Sequence, residues 1–222
     1  MENHSPILRV LPSKAELRAV YDRLSWVYGL LADRAEQPIR QAALESLDPT
    51  QGLRVLEIGP GTGHGVAALA QCVSPGGYVV GLDLSEGMLE LTRNQARAKG
   101  CQGVGLVQGD GAQLPLRDGI FDAVLLCFTL ELFDTPEIPL VLGECKRVLK
   151  AGGRLVVAAM SKAGGESVPV QLYEWSHRCF PNLVNCRPIR AQEAIEAASF
   201  RVDSHRLLSI WLPVELVVAV RV

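Results

Sequence analysis

The chain lacks a long hydrophobic run: its most apolar tract, Trp211 to Val220, contains Pro213 and Glu215 and is about half the roughly 20 residues a membrane-spanning helix needs. That tract reads as a buried strand. Charge of one sign is missing too, since 22 Lys and Arg stand against 24 Asp and Glu for a formal net charge of -2, with the two signs interspersed. A basic stripe for nucleic acid and a polybasic patch for an anionic membrane are therefore excluded, and a small molecule is the expected partner. The six cysteines form no C-x-x-C pair, which excludes a disulfide framework and predicts reduced, unpaired thiols. The first ten residues carry Glu2 and Pro6 and no cationic start followed by an apolar run, which argues against a secretory signal and for a cytoplasmic protein. Internal repeats and low-complexity tracts are also absent.

What is present is enough chain for one large domain, since 222 residues bury roughly 70% of their unfolded surface. Ser13-Lys14-Ala15-Glu16 is a capping box, after which Leu17, Val20, Tyr21, Leu24, Val27, Tyr28 and Leu31 recur at helical spacing. A second helix is expected over Ile39 to Leu47, ended by Asp48-Pro49. Five apolar runs follow, Arg54 to Ile58, Tyr78 to Leu82, Val104 to Val107, Phe121 to Cys127 and Arg154 to Ala159. They are continuous rather than alternating, as strands covered on both faces are. Helical stretches at Gly63 to Cys72, Ser85 to Lys99 and Pro136 to Leu149 separate them, so a parallel sheet with helices on both faces is predicted. After a helix at Ala191 to Ala198, the runs Phe200 to Ile210 and Leu212 to Val222 have no helix between them. They must pair antiparallel, because a parallel return needs a crossover. The expected architecture is a Rossmann-like, mostly parallel seven-stranded α/β sheet with a C-terminal hairpin. It forms one domain, 1–222, with a helical cap over 1–50 and an irregular insertion over 161–190.

The chemistry concentrates at three strand ends. Glu57-Ile58-Gly59-Pro60-Gly61-Thr62-Gly63 closes a buried strand and opens a helix, so its glycines permit a tight turn and a close ligand, and the helix N-terminus offers free N–H groups. Taken alone this is also what a plain strand-to-helix turn looks like. Asp83 ends the second strand, where a carboxylate can accept from both hydroxyls of a ribose, and Asp110 ends the third. All three ends face one crevice if the strand order runs outward from the first.

The motif series Glu57 to Gly63, Gly81 to Met88, Gly109 to Pro115, Phe121-Asp122 and Leu149 to Gly153 resembles that of class I S-adenosylmethionine-dependent methyltransferases. It is most similar to the ubiquinone and menaquinone C-methyltransferase branch, whose opening helix Tyr21 to Tyr28 also matches. The likeness covers residues 14 to 160, with Gly111 standing where the family usually has Ala and Ala151 where it has Pro. It implies S-adenosylmethionine as cofactor, with Gly59, Gly61 and Gly63 against its methionine part and ribose and Asp83 on the ribose hydroxyls. It further implies Leu84 and Met88 about the adenine, Asp110 at the adenine amino group and the Gly111 backbone beside it. Glu57 either contacts the cofactor or only orients the loop through backbone N–H groups.

Methyl transfer needs a nucleophile aligned about 3–3.5 Å behind the sulfonium methyl in a dry pocket, and a base where the acceptor is a phenol or carbon acid. Phe128 at the fourth strand end either edges the transfer site or packs in the core. Tyr21 and Tyr28, seven positions apart on the opening helix, either close over the cofactor or pack. Glu131 is a candidate base or a charge on a solvated helix face. His64 flanks the cofactor carboxylate or is a surface histidine. The segment around Trp175, His177 and Arg187, rich in aromatic and cationic groups, is a candidate acceptor lid or a small packed insertion. The irregular spacing of His177, Cys179 and Cys186 argues against a metal or arsenite site. Two other classes use the same glycine turn: an NAD-dependent oxidoreductase, disfavoured by the hairpin and by Asp110, and a catalytically silent binding protein.

Overall fold

A computed structural model describes residues 7, 9–10, 13–162, 186–209 and 212–222, and of residues 23–35 it describes the backbone alone. Strands β1 (Arg54–Ile58), β2 (Tyr78–Asp83), β3 (Val104–Gln108), β4 (Phe121–Cys127) and β5 (Leu149–Met160) pair in parallel. With β6 (Phe200–Ser209) and β7 (Pro213–Arg221) they form one seven-stranded sheet of order β3-β2-β1-β4-β5-β7-β6. Alternate residues of each central strand feed opposite cores, as the two-residue period requires. Leu56, Leu126 and Val157 pack under α4 (Ile138–Val148), whereas Val55, Leu125 and Val156 pack under α1 (Lys14–Leu47) and α2 (His64–Val73). This two-sided burial is why the strand sequences are apolar throughout.

The terminal strands pair antiparallel as the missing crossover demands, but β7 lies between β5 and β6. Their sequences explain the order. Val214 to Val218 and Ala219 are buried, as an interior strand must be, while β6 exposes Arg201, Asp203, His205 and Arg206, charges that guard an edge against further pairing. A short helix α5 (Ala191–Ala197) precedes the pair.

Two sequence expectations are corrected. The separate helices before and after Pro38 are one helix, α1, held at its start by the reciprocal Ser13–Glu16 capping box and stopped by Asp48 in a left-handed conformation. Proline costs a helix interior about 3 kcal/mol. Burial of Ile39, Leu44 and Leu47 against the sheet, each contributing roughly 1.5–3 kcal/mol, outweighs that cost. The fifth strand begins at Leu149 rather than Arg154, because Leu149 pairs with Phe121 ahead of a bulge that absorbs Ala151-Gly152-Gly153.

Candidate functional site

The carboxyl ends of β1 to β4 open onto one cavity of about 650 Å³, roofed by Lys14, Leu17, Arg18 and Tyr21 at the start of α1 and by Glu36 and Arg40 farther along it. Gly59 makes the turn out of β1 at φ 69°, its N–H donating to Leu82 O at 2.8 Å. A Cβ there would stand 2.5 Å from the Thr129 side chain, so β1 and β4 can lie this close only with glycine. Gly61, at φ 54°, lies on the cavity wall with open space where a Cβ would be. Gly63 faces elsewhere: a Cβ on it would meet Thr92 Cα at 2.5 Å, so it sets the packing of α2 on α3 (Glu86–Ala98). His64, the first residue of α2, shares a 2.9 Å hydrogen bond with the Gln95 side chain.

The three sequence-predicted acids stand on that wall in different states. Glu57 is 2% exposed, and its Oε2 has no hydrogen-bond partner. Burial pushes its carboxyl up to about 8, against a smaller lowering by Arg40. Asp83 accepts from Ser85 N–H at 2.9 Å, yet burial still raises it to about 6, with Asp22 adding repulsion. Asp110 accepts from Ala112 N–H at 2.9 Å through Oδ1, and Lys14 Nζ lies 2.5 Å from its Oδ2 and 2.5 Å from Glu137 Oε1. Leu84, Met88 and Gly111 are also on the wall. At Gly111 a Cβ would meet the Phe133 ring at 2.7 Å, which accounts for glycine where relatives of the motif carry alanine.

Phe128 lines the cavity with its backbone at φ 53°, a strained conformation for an aromatic residue. Its N–H donates to Ala158 O at 2.8 Å, and the next residue, Thr129, donates its hydroxyl to Cys127 O at 3.1 Å, so β5 and the loop hold the strain in place. Tyr21 is on the wall, brought there because Asp22 accepts from Ser85 Oγ at 2.5 Å and from Gly87 N–H at 3.1 Å and so fastens α1 to the start of α3. The Tyr28 side chain, Trp175 and His177 lie outside the described residues.

Glu131 and Arg187 are brought together, but away from the cavity wall. Glu131, in a short 3-10 turn (Leu130–Leu132), is 0% exposed and accepts from Met160 N–H at 3.1 Å through Oε1, while Oε2 has no partner. Burial pushes it up to about 8. It therefore occupies neither a solvated helix face nor the cavity surface. Arg187, also 0% exposed, donates to Glu131 O at 2.7 Å and to Thr135 Oγ1 at 3.1 Å. It ties the segment after residue 185 to the β4–α4 connection.

Sequence reasoning missed the charged residues that α1 and the segment before it bring to the wall: Arg9, Lys14, Arg18, Glu36 and Arg40. Arg9 grips Asp134 with two nitrogens, at 2.8 and 2.6 Å, and holds that carboxyl down at about 2.

Residues 55–153 match the family described as Methyltransferase domain. Among curated relatives, Nocamycin O-methyltransferase of Saccharothrix syringae is 32% identical over 157 residues, 71% of this chain and 53% of that protein. Demethylmenaquinone methyltransferase of Geobacillus kaustophilus is 35% identical over 147 residues, 66% of this chain and 61% of that protein. The chain thus spans between half and two thirds of the length of these relatives. Among solved structures, the cyclase SpnF shares the fold over 98% of both chains at a TM-score of 0.76 and 19% identity.

Proposed function

We infer the activity of this chain from the family to which its central domain belongs, the class I S-adenosylmethionine-dependent methyltransferases. The reading is transfer of a methyl group from S-adenosylmethionine to a small lipophilic or aromatic acceptor. The observation that carries it is the convergence of Gly59 and Gly61, Asp83 and Asp110, from three adjacent strand tips, on one cavity. A nicotinamide dinucleotide would use the same glycine turn and Asp83, but it gives Asp110 no task.

The residues present fit the cofactor. The partnerless Glu57 Oε2 on the cavity wall suits an ammonium group, which would complete its hydrogen bonding and favour its ionised form. Arg40 and the free N–H groups at the start of α2 suit the carboxylate of the same amino acid. Asp83 is placed for the ribose hydroxyls and Asp110 for the adenine amino group, between Leu84 and Met88. When bound, S-adenosylmethionine supplies a sulfonium methyl, an electrophile needing no further activation. The protein's share of the work is alignment and exclusion of water, done by the roof of α1 and by the apolar wall of Leu17, Phe128, Leu132 and Phe133. That apolar wall supports a lipophilic acceptor, and the names of the curated relatives point the same way. No described helix is long and apolar enough to cross a membrane. Cys72, Cys101, Cys127 and Cys145 are free thiols, which supports a reducing, cytoplasmic setting.

Calorimetric titration with S-adenosylhomocysteine tests the reading. Asp83→Ala removes charged hydrogen bonds worth about 1.5–3 kcal/mol, so binding should weaken roughly 10- to 150-fold. Equal binding by the variant and the wild type would remove the site from consideration.

A further inference from the structure

The order of the strand tips leaves one end of the cavity for the acceptor. Across the sheet the tips run β3, β2, β1, β4 and carry Asp110, Asp83, Glu57 and then Cys127-Phe128. With adenine at β3, ribose at β2 and the amino-acid end at β1, the β4 tip faces the remaining space. Helix α1 crosses the tips in the same sequence. Lys14 meets Asp110, Asp22 meets the start of α3, and Glu36 and Arg40 reach the wall at the end where Glu57 and Cys127 stand.

The β4 end of the wall is mostly apolar, with Phe128, Leu132 and Cys186. The charged side chains there come from α1: Glu36 and, one turn on, Arg40. Glu36 acts on both Cys127 and Glu131. The Cys127 thiol is pushed well up by burial and then by the charge of Glu36, and Glu131 is raised by burial with Glu36 contributing. These groups form one electrostatic cluster. Glu36 and Arg40 from α1, Glu57 from β1 and Glu131 from the 3-10 turn all act on Cys127, and Glu36 and Cys127 line the same cavity. Glu131 sits behind the wall, and Glu57 is committed to the amino-acid end. Glu131 is pushed up to about 8 by burial and holds its own proton at neutral pH. The sequence points to Glu131 as base; the fold gives Glu36 the accessible position.

We propose that Glu36 is the general base of methyl transfer, taking the hydroxyl proton from a phenol or enol seated at the β4 tip. The inference rests on the reading of the cavity as a methyl-transfer site. As the acceptor O–H proton passes to the Glu36 carboxylate, the electron pair it leaves, on oxygen or on a conjugated ring carbon, forms the bond to the methyl carbon. The carbon–sulfur bond breaks with its pair going to sulfur, so the sulfonium becomes a neutral thioether. The proton on Glu36 returns to solvent after methylation at oxygen; after methylation at carbon, the ring C–H proton is lost to solvent and a proton returns to the oxygen as the ring regains aromaticity. A hydroxylated aromatic acceptor is the class this arrangement selects, since an acceptor without an acidic proton has no use for a carboxyl there.

The experiment compares wild type, Glu36→Gln and Glu131→Gln in S-adenosylhomocysteine binding and in methyl transfer to 1,4-naphthohydroquinone from labelled S-adenosylmethionine. Glu36→Gln should bind S-adenosylhomocysteine within about twofold of wild type. It should lose roughly 10²- to 10⁴-fold in kcat, the usual share of general base catalysis. The loss should shrink as pH rises toward about 10, where a phenol ionises unaided, and Glu36→Asp should restore part of it. Glu131→Gln should lose less than tenfold. The inference is overturned by a Glu36→Gln enzyme with wild-type kcat, by a loss that is constant across pH, or by a larger, pH-rescued loss in Glu131→Gln. Wild type that fails to bind S-adenosylhomocysteine overturns the underlying reading. Wild type that binds it but leaves the hydroquinone unmethylated overturns the acceptor class and the base together.

Discussion

The floor of the cavity and its roof are built on different principles. On the floor, Glu57, Gly59, Asp83 and Asp110 are set by backbone within a few residues of each strand end: Gly59 by its own left-handed turn, Asp83 by Ser85 N–H and Asp110 by Ala112 N–H. In the roof, the binding residues are set by side chains that meet across long stretches of chain, Lys14 to Asp110 over 96 positions and Arg9 to Asp134 over 125. A floor built from strand tips is rigid and survives as long as the sheet does. A roof fastened by part-exposed ion pairs is weakly held, because such pairs contribute at most about 1 kcal/mol each. The proposed cofactor site uses both, since a ligand under α1 would have to enter and leave.

Substitutions should separate the two halves by size of effect. The largest is expected on the floor at Gly59→Ala, where the new Cβ collides with Thr129 and the backbone is left-handed. Overpacking of this kind costs about 1–3 kcal/mol of stability, and S-adenosylhomocysteine binding should fall more than about tenfold as the loop shifts. Urea denaturation and calorimetry read the two quantities. A variant with unchanged stability and affinity would show that the floor is not rigid.

The next effect is a pH slope. Glu57 and Glu131 hold their protons up to about 8 in the folded chain against an ordinary value of 4.5. Their contribution to the stability of the unliganded protein is therefore complete below about 4.5. It is lost as pH rises toward 8, by up to about 1.4 kcal/mol per pH unit for each group. Binding runs the other way: an ammonium beside Glu57 favours the ionised form, so affinity for S-adenosylhomocysteine should climb up to tenfold per unit toward pH 8. Asp83, raised to about 6, adds to the climb at lower pH. Glu57→Gln should flatten the part between about pH 7 and 8 in calorimetric titrations. A slope that persists in that variant would remove Glu57 from the ligand's amino group.

The smallest effect belongs to the roof. Lys14→Met breaks its pairs with Asp110 and Glu137, and affinity should fall only about two- to fivefold at low salt. At high ionic strength the difference from wild type should vanish, because screening has already weakened the pair. A loss as large as that at Gly59, unaffected by salt, would erase the distinction between roof and floor.

The same division governs how much could be read before any coordinates. The continuous apolar runs announced β1 to β4 within a residue or so, the glycine loop announced the turn out of β1, and the missing crossover announced an antiparallel pair. The second helix expected over Ile39 to Leu47 proved to be the end of α1, because a local pattern carries no record of Ile39, Leu44 and Leu47 holding one long helix to the sheet. Glu131 misled as well. As a charged residue after a strand end it suggests a solvated or reactive position, yet it is fully buried and accepts from Met160 N–H. Glu36 stood unmarked in a helical stretch, since nothing in its neighbourhood says which strand tip α1 will pass.

By itself the sequence determined the strands, their parallel arrangement and the three strand tips that line the cavity, because periodicity, glycine and chain direction act over a few residues. Tertiary structure alone decided that β7 lies inside β6, that α1 runs unbroken across the cavity, and which carboxyls are buried with their protons and which reach the wall. Those outcomes depend on which surfaces meet, and burial, charge coupling and helix docking are properties of that meeting rather than of any segment.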